Sequence, residues 1–521
     1  MGVFQKQLLI LAVLLHLPLA VAGEEAPQTV LELREKPFLL LDSGLIAAKD
    51  NVLERSILPV REKANPVLPA DKPWEGPMVI FPSVLRIDNE WKMWYVAWGN
   101  NFPARRGELP IEDASFLCYA TSSDGIHWKK PSLGLTTFRG STDNNIVLRS
   151  DGSHINSFSV MHLPGQEWPY VMVAFQGTWP YETKLIEKAG YKFGIPDMGH
   201  YAFRSRDGLH WESFTEKKVS IYRAMDRSLV GYDPAKGRFM GFWKLVLGDV
   251  RIRHQAFSKD LVHWTNSQVV LLPDSQSHTK AINELPPESL KQPEQYVSKE
   301  RHHYCHFMFP YGNGYLGLLE LLNESTMKMS IELLHSRTLD EFQRFSDEPF
   351  IAPGGTDTWD GGGILMIAGT PPVEYENRLY FYYCGANFDH RHGSDLLKKK
   401  RPDGRWEIGL VYVDRDRFVV LAPDDKSRPA VITTVPLRCS GKQLVLNADA
   451  QEGEVRIELL DTKGKPLKGF RADDCIALRG ESKLDWDVRW KTASPLPVEP
   501  VQVRIELQRA GVYSIRCTEG S

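Results

Sequence analysis

Four acidic residues stand where strand-like runs begin or end, and a carboxylate at such a place can take part in proton transfer. They are Glu75 in "WEGP", Asp226 before "RSLVGYD", Glu320 at the end of "YLGLLE" and Asp360 before "GGGILM". Catalysis by two carboxyl groups needs one that holds a proton and one that is ionised, and neighbouring charges or an apolar wall separate their pKa values. The four acids are therefore the candidate catalytic residues.

Aromatic, basic and amide side chains accompany these acids. Tryptophan rings can stack on sugar faces, and arginine or histidine can bind hydroxyl groups, a carboxylate or a sulfate. Two carboxylates beside such groups fit the cleavage of a glycosidic bond. The alternative is that each acid pairs with a basic side chain such as Arg227 or Lys244 and serves structure only, since ion pairs also occupy clefts. The candidate substrate-binding residues are Trp74, Trp98, Asn156, Trp179, Arg227, Lys244, Tyr304, His306, Trp359, Asp389 and His390.

A seven-residue phrase recurs along the chain and indicates how these residues are positioned. It reads "SSDGIHW" at 122–128, "SRDGLHW" at 205–211 and "SKDLVHW" at 258–264, with weaker copies in "HSRTLDEFQRF" and "VYVDRDRFVVL". Ser and Asp side chains bind nearby backbone N–H groups, Gly permits positive φ, and Trp packs beneath the turn. We expect each copy to close a β-hairpin rather than to carry out catalysis.

Short strand-like runs rich in aromatic and β-branched residues fill the chain, and they are separated by Gly, Asn, Asp and Pro. Together with five turn phrases they predict an all-β protein with five radial antiparallel sheets, a five-bladed β-propeller, at 23–422. Alternation of apolar and polar residues predicts a C-terminal β-sandwich at 431–521. In a propeller, the start of each first strand and the end of the second meet at one funnel, where the acids would converge.

The composition and the N-terminal sequence limit the classes of protein to which the chain can belong. The 63 basic and 66 acidic residues of 521 leave a net charge of −3, which gives no indication of nucleic-acid binding. Residues 1–22 combine Lys6, a short apolar run and "AVA", which predicts a removed secretory signal and a secreted or periplasmic protein without a membrane anchor, the alternative being an uncleaved anchor.

The six cysteines contain no CxxC pair, and the histidines of "RHHYCH" lack metal-ligand spacing, so no metal site is predicted from them. Export permits disulfides, and one pair is expected among Cys439, Cys475 and Cys517. Cys118, Cys305 and Cys384 lie in apolar runs and are expected to be buried thiols.

The blade-end phrase and the order of propeller before sandwich resemble the fructofuranosidase and arabinanase superfamily of five-bladed glycoside hydrolases. The segments "YATSSDGIHWKKPSLGLTTFRGSTDNNIVL" and "GFRADDCIALRGESKLDWDVRW" are similar to secreted bacterial members of this group. The resemblance covers roughly residue 60 to the C-terminus.

By position, the resemblance implies that Glu75 is nucleophile or base, that Asp226 stabilises the transition state and that Glu320 donates the proton. The sequence departs from the family in having neither "NDPNG" nor "RDP". "WEGP" is similar to the family's acid phrase "WECP" but lies in blade one, so Glu75 could instead be the proton donor, with Asp226 or Asp360 as its partner.

The leading hypothesis is a secreted glycoside hydrolase that acts on an oligo- or polysaccharide with two carboxylates in the propeller funnel. It would need no organic cofactor, and a structural Ca²⁺ would use oxygen ligands. The alternatives are a non-catalytic carbohydrate-binding propeller, an interaction scaffold, and a glycoside phosphorylase, for which Arg227, Lys244 and Arg253 would supply positive charge beside the acids.

Overall fold

The computed structural model describes residues 30–98, 115–149, 154–177, 199–215, 217–221, 224–247, 250–273, 279–281, 301–345, 348–390, 403–492 and 495–520. Within these ranges every regular element is a strand, apart from one 3₁₀ turn at Ser43–Leu45. The prediction of an all-β chain is confirmed. The predicted signal segment and Trp179 lie outside the described residues.

The strands are numbered in chain order. The first group is β1 (Leu31–Leu33), β2 (Phe38–Leu39), β3 (Ile46–Asp50), β4 (Val52–Ser56), β5 (Val60–Arg61), β6 (Val79–Ile87), β7 (Glu90–Ala97), β8 (Phe116–Ser122), β9 (Ile146–Arg149), β10 (His154–His162), β11 (Tyr170–Gly177), β12 (Gly199–Ser205) and β13 (Glu212–Ser213). Next come β14 (Met225–Asp233), β15 (Arg238–Leu247), β16 (Val250–Ser258), β17 (Gln268–Pro273), β18 (Thr279–Ala281), β19 (Arg301–Tyr311), β20 (Gly314–Asn323), β21 (Lys328–Ser336), β22 (Gln343–Arg344), β23 (Ile364–Ile367), β24 (Val373–Tyr375), β25 (Arg378–Ala386) and β26 (Trp406–Asp414). The last are β27 (Val419–Pro423), β28 (Ala430–Thr434), β29 (Leu437–Cys439), β30 (Gln443–Asp449), β31 (Glu454–Leu460), β32 (Leu478–Arg479), β33 (Ser482–Asp487), β34 (Gln502–Gln508) and β35 (Gly511–Thr518).

Strands β5–β26 form five antiparallel sheets, called the first unit below. Four of the sheets are consecutive in the chain, with orders β6-β7-β8-β9, β10-β11-β12-β13, β14-β15-β16-β17-β18 and β19-β20-β21-β22. The fifth has the order β23-β25-β26-β5, with β24 paired to β25, so the early strand β5 completes the last sheet. Each sheet contains the hairpins that the turn chemistry of the sequence predicts.

Hydrogen bonds link the first strands of neighbouring sheets. The Ser83 hydroxyl accepts from the Val160 N–H at 3.3 Å, and the Ser157 hydroxyl accepts from the Arg227 N–H at 3.0 Å. At the junction of the last sheet with the first, the Thr370 hydroxyl accepts from the Val84 N–H at 3.0 Å. Side-chain hydroxyls thus satisfy backbone groups that the strand edges would otherwise leave unpaired.

The same first strands share a local distortion. Strands β6, β10 and β14 each carry a β-bulge, and at each bulge a non-glycine residue has positive φ: Phe81 (55°), Ser157 (49°) and Arg227 (53°). Strand β19 has its register shift at Tyr304. Bulges re-aim side chains and are frequent beside functional sites, and left-handed non-glycine residues cost of order 1–3 kcal/mol each.

The repeated phrase forms the turn that its residues predict. The Ser122 hydroxyl donates to Asp124 Oδ1 at 2.9 Å, and the same oxygen accepts the Ile126 and His127 N–H groups at 2.8 Å each. In all three copies the histidine Nδ1 lies 2.7 Å from the aspartate Oδ2. The structural role of the aspartates is confirmed, and the histidine proves to be part of the same network.

Each of these turns also docks on a neighbouring sheet. Tyr382 on β25 donates to the Gly125 carbonyl at 2.6 Å, and Trp94 on β7 donates to the Gly208 carbonyl at 2.7 Å. In the weaker fourth copy, Gln255 on β16 donates to the Leu339 carbonyl at 2.6 Å. The phrase therefore joins sheets as well as closing hairpins.

Gly125 should tolerate no side chain. Its φ is +76°, and an added Cβ would lie 2.7 Å from the Tyr382 hydroxyl and 3.0 Å from the Trp91 ring. We expect Gly125→Ala to lower the free energy of unfolding by about 2–4 kcal/mol, because a left-handed backbone and an overpacked contact add. Gly134 is the matched control: its φ is +71°, with no heavy atom within 4 Å of an added Cβ. Gly134→Ala should cost only about 1–2 kcal/mol. Equal losses in chemical denaturation would contradict the docking role.

The turn aspartates should make stability depend on pH. Partial burial raises the pKa of Asp207, but hydrogen bonds from His210 and Leu209 outweigh it, so the net pKa lies below its ordinary value. A carboxylate of this kind stabilises the fold above its unfolded pKa of about 3.9, and the stabilisation is lost as the pH falls through the folded pKa. The difference in unfolding free energy between wild type and Asp207→Asn should therefore be largest above about pH 5 and shrink below about pH 4. Denaturant titrations across this range measure it, and a difference independent of pH would refute it.

Strands β1–β4 and β27–β35, called the second unit below, enclose a separate apolar core. One large sheet has the order β33-β30-β35-β27-β4, with β2 paired to β35, a second has the order β3-β28-β34-β31-β32, and β1 and β29 form a two-stranded sheet. A disulfide joins Cys439 on β29 to Cys517 on β35, which confirms that one pair forms in this part of the chain. Cys118, Cys305 and Cys384 are buried free thiols, as predicted.

The N-terminal strands cross from one unit to the other. Strands β1, β2, β3 and β4 pair with β29, β35, β28 and β27 respectively, whereas β5 pairs with β26. The sequence interpretation placed residues 23–422 in one domain and 431–521 in another. The strand pairing instead joins residues 31–56 and 419–423 to the C-terminal strands.

Among the described residues, no helix has the length and apolar character needed to cross a membrane.

Candidate active site

Asp226 lies at the start of β14, beside a buried lysine. Met225 pairs with Lys244 across the first hairpin of this sheet, and Lys244 Nζ lies 2.6 Å from Asp226 Oδ1. The Lys244 side chain is 4% exposed and that of Asp226 is 14% exposed. Burial raises the pKa of Asp226, but the positive charges of Lys244 and its neighbours outweigh it, so the net pKa lies below the ordinary value. Asp226 is therefore ionised at neutral pH and suited to act as base or nucleophile.

The ring of Tyr304 joins this ion pair to other polar groups. Lys244 Nζ lies 4.5 Å from the ring centroid, and Arg251 Cζ lies 5.3 Å from it. The Tyr304 hydroxyl shares a 3.1 Å hydrogen bond with His390 Nε2. Burial lowers the pKa of His390 and of Lys244, and it raises the pKa of Tyr304. The histidine is thus neutral at physiological pH, and the tyrosine keeps its proton.

A second carboxylate, that of Glu324, pairs with Arg251, the arginine that lies near the Tyr304 ring. It follows β20 in the tight turn to β21, and its side chain is 31% exposed. Arg251 Nη1 lies 3.2 Å from Glu324 Oε1, and His302 Nε2 lies 3.6 Å from it. Arg251 Nη1 also lies 2.6 Å from His302 Nδ1. Asp226 and Glu324 are therefore linked through Lys244, Tyr304 and Arg251 into one cluster with access to solvent.

The sequence interpretation missed Arg251, His302 and Glu324 as site residues. The motif "RHHYCH" contains His302, but its contacts with Arg251 and Glu324 could not be known because these residues come from a different sheet and from the turn to β21. The site therefore collects residues from β14, β15, β16, β19, the β20–β21 turn and the segment after β25.

Glu320, a second predicted catalytic acid, is fully buried on β20 in an ion pair with Arg227. Arg227 Nη2 and Nε both contact its carboxylate, and the Ile367 N–H donates to Glu320 Oε1 at 2.8 Å. The relative exposures of Arg227 and Glu320 are 1% and 0%. Burial lowers the pKa of Arg227, but the Glu320 charge outweighs it and raises the net value. This pair bridges three sheets, and its carboxylate has no face open to solvent.

His306 and Arg253 lie deeper along the same strands. Arg253 Nε donates to His306 Nδ1 at 2.9 Å, and its other nitrogens donate to the carbonyls of Tyr304, Arg227 and Phe242. Both side chains are fully buried, and burial holds the pKa of His306 well below its ordinary value. Arg253 thus stabilises the backbone at Tyr304 and Arg227 by donating to their carbonyl groups.

Glu75 is also fully buried, and donors surround its carboxylate. Oε2 accepts the N–H groups of Asp71 and Lys72 at 2.9 Å each, and the Tyr95 hydroxyl donates to Oε1 at 2.6 Å. Lys130 Nζ lies 2.8 Å from Oε1. These contacts hold the turn that enters β6.

Asp360 is 1% exposed and is held before β23. Arg61 from β5 forms an ion pair with Oδ2, the Tyr383 hydroxyl donates to Oδ2 at 2.8 Å, and the Thr358 hydroxyl donates to Oδ1 at 2.9 Å. The carboxylate thereby ties the early strand β5 to the last sheet. The adjacent Trp359 packs on Tyr383, with ring centroids 5.6 Å apart.

Other predicted binding residues are dispersed. Trp74 donates to Asn145 Oδ1 at 2.8 Å, and Trp98 is packed against the same apolar core. Asn156 is buried and accepts from the Ser157 hydroxyl at 2.8 Å. Asp389 is half-buried next to His390. Of the predicted residues, the structure therefore brings Asp226, Lys244, Tyr304 and His390 into direct contact, with Asp389 adjacent.

A cavity of about 630 Å³ opens at the opposite ends of the first strands, far along them from Asp226. Its lining includes Leu85, Met161, Tyr232, Phe307 and Pro371, and it contains none of the predicted site residues. In the described part of the chain, no group of three or more His, Cys, Asp or Glu side chains is placed to hold a metal ion.

No family model matches the sequence, and no curated protein does. Solved structures that resemble the chain include a "Beta-1,2-Mannobiose phosphorylase from Listeria innocua", with 12% identity and a TM-score of 0.42 over 70% of this chain and 97% of the other. An N-acetylgalactosamine deacetylase from F. plautii has 13% identity and a TM-score of 0.42 over 69% and 95% of the two chains. A structure from work on "The GH130 family of mannoside phosphorylases" has 15% identity and a TM-score of 0.41 over 69% and 94%. At such low identities and TM-scores, the activity of this chain has to be argued from its own residues.

Proposed function

We propose that this protein is a carbohydrate-active enzyme, a glycoside hydrolase in which Asp226 is the ionised catalytic carboxylate. The fold that supports the site would be a five-bladed β-propeller made of the first unit, joined to a β-sandwich made of the second. The observation that carries the proposal is the difference in solvent exposure among the four predicted acids. Glu75, Glu320 and Asp360 are at most 1% exposed and surrounded by donors, whereas the Asp226 side chain, although paired with Lys244, is 14% exposed within a polar cluster.

The second carboxylate of the reaction would be Glu324. Glycoside cleavage needs an acid for the leaving oxygen and a carboxylate as nucleophile or as base for water. Asp226 is ionised by the charge of Lys244, which suits the latter role. Glu324 is a second acid of the cluster with access to solvent, and Tyr304 and His390 would orient sugar hydroxyls between the two.

A glycoside phosphorylase is the second candidate. The observation that favours it is that two cations lie near the Tyr304 ring: Lys244, which pairs with Asp226, and Arg251, which pairs with Glu324. An incoming phosphate needs such cations. Arg227 and Arg253, which the sequence suggested for this role, are instead committed to Glu320 and to backbone carbonyls.

The test is a screen of purified protein against plant, algal and fungal polysaccharides and their oligosaccharides, with and without inorganic phosphate. A hydrolase releases reducing sugars in either buffer. A phosphorylase releases a sugar 1-phosphate, and only when phosphate is present. Binding of a glycan without either product would refute both enzymes and leave the carbohydrate-binding alternative.

The proposal also includes export. Residues 1–22 would be a removed signal, so the enzyme would act outside the cytoplasm on a carbohydrate, and a structural Ca²⁺ stays a prediction to be tested by metal analysis of the purified protein.

A further inference from the structure

A cleft in the second unit lies where two strands of one sheet diverge. Strand β27 pairs with β4 from Val419 to Pro423, but with β35 only at Leu421 and Val512. The resulting opening, called the Tyr513 cleft, has a volume of about 400 Å³. That volume lies in the range of small-molecule sites in proteins.

Tyr513 lines this cleft and is 7% exposed. Its hydroxyl forms no hydrogen bond among the described residues, and it is not one of their fully buried polar atoms, so it is open to the cleft. Arg417 contacts the ring, with Cζ 4.7 Å from the centroid, and its Nε donates to Asn447 Oδ1 at 3.0 Å. Burial raises the pKa of Tyr513, so the hydroxyl is an available donor at neutral pH.

Charged side chains of both signs surround the tyrosine. Arg55, Lys426 and Arg509 contribute three positive charges, and Asp449 and Glu452 contribute two negative ones. Within the described chain, the three basic side chains form neither an ion pair nor a hydrogen bond. They come from three separate segments, β4, the loop after β27 and the turn before β35, so their convergence is a property of the fold rather than of a local charge run.

We propose that the Tyr513 cleft is a second saccharide-binding site, which takes a uronic-acid residue of a polysaccharide. The basic side chains would bind the carboxylate, because charge-assisted hydrogen bonds to carboxylates are among the strong ones. Asp449 and Glu452 would accept from sugar hydroxyls, the Tyr513 hydroxyl would donate to a ring substituent, and Leu53 and Pro423 would contact the apolar face of the ring. The choice of a sugar as the ligand rests on the proposed function, whereas the position of the site does not.

The experiment titrates the full-length protein with D-glucuronate and D-galacturonate, and with glucose and galactose as neutral counterparts, by ligand-observed NMR. At least one uronate should bind with a Kd of about 1 mM or tighter, and the neutral sugars should bind at least tenfold more weakly. Arg509→Ala and Tyr513→Phe should each weaken binding about fivefold or more. Lys463→Ala, which removes an exposed lysine from a turn of the same unit, is the matched control and should leave binding unchanged.

Asp226→Asn separates the two proposals, because it should lower turnover about 100-fold or more and leave uronate binding at the cleft intact. If the uronates do not bind, if neutral sugars or acetate bind equally well, or if the cleft variants bind like wild type, the second site is refuted. Loss of binding only in Asp226→Asn would place the uronate in the active site and would also refute it. Binding that depends on the cleft in a protein without turnover would retain this inference and remove the proposed hydrolase.

Discussion

Asp226→Asn is expected to lower kcat/KM on the hydrolysed glycan by about 10²–10⁴-fold, the contribution typical of a positioned acid or base. The amide keeps the shape of the side chain and its place 2.6 Å from Lys244 Nζ, but it carries no negative charge and cannot accept a proton or attack the sugar. Product formation on the glycan identified by the screen is the measurement, with the melting temperature recorded in parallel to show that the variant is folded.

Two further variants sharpen this test. Lys244→Met removes the main positive charge that lowers the pKa of Asp226, so the acid limb of the pH–rate profile should move to higher pH. Glu212→Gln alters a surface acid that pairs with Arg204, with a side chain 50% exposed, and should leave activity unchanged. An Asp226→Asn enzyme with more than a tenth of wild-type activity would remove Asp226 from the chemistry.

Glu320→Gln is expected to lower the free energy of unfolding by about 3–5 kcal/mol, because it leaves the Arg227 charge buried without its counter-ion. Arg227 is 1% exposed, and the carboxylate that it loses also accepts the Ile367 N–H from the next sheet. Chemical denaturation is the measurement. A loss under about 1 kcal/mol would show that the pair contributes no more than a surface ion pair.

Two control variants test whether the loss of stability comes from the unpaired buried charge of Arg227. The double variant Arg227→Met/Glu320→Leu replaces both charges by apolar groups and should be more stable than Glu320→Gln alone, since no uncompensated charge remains. Glu54→Gln removes an exposed ion pair with Lys49, whose side chains are 44% and 32% exposed, and should change stability by less than about 1 kcal/mol.

Local chemistry was predictable from the sequence. The Ser122–Asp124 turn and its two further copies depend on residues within seven positions of each other, and their hydrogen bonds follow from those residues alone. The pairing of β1 with β29 was not predictable in this way. Its partner lies near the other end of the chain, and a strand's pattern of apolar residues indicates a buried face but does not identify the neighbour.

The same distinction applies to the site. The sequence placed Asp226, Lys244, Tyr304 and His390 at strand ends, and the structure brings them into contact. The sequence could not indicate that donors would surround Glu75. One of them, Lys130, comes from the loop between β8 and β9, more than 50 residues further along the chain. Whether an acid is catalytic or structural depends on which basic side chains lie next to it in the folded protein. Those side chains come from segments that are distant in the sequence.

The crossing of the N-terminus between the two units has a consequence for how the chain can be cut and how it folds. A fragment that begins after residue 423 lacks five strands of its own sheets, β1–β4 and β27, and a fragment that ends there leaves β1, β2 and β3 without their partners β29, β35 and β28. Neither piece is a self-sufficient domain. Since β5 pairs with β26 and its Arg61 forms an ion pair with Asp360, the last sheet is complete only after the chain through Asp414 has been synthesised. Such long-range pairing predicts slow, highly cooperative folding, in which both units form together.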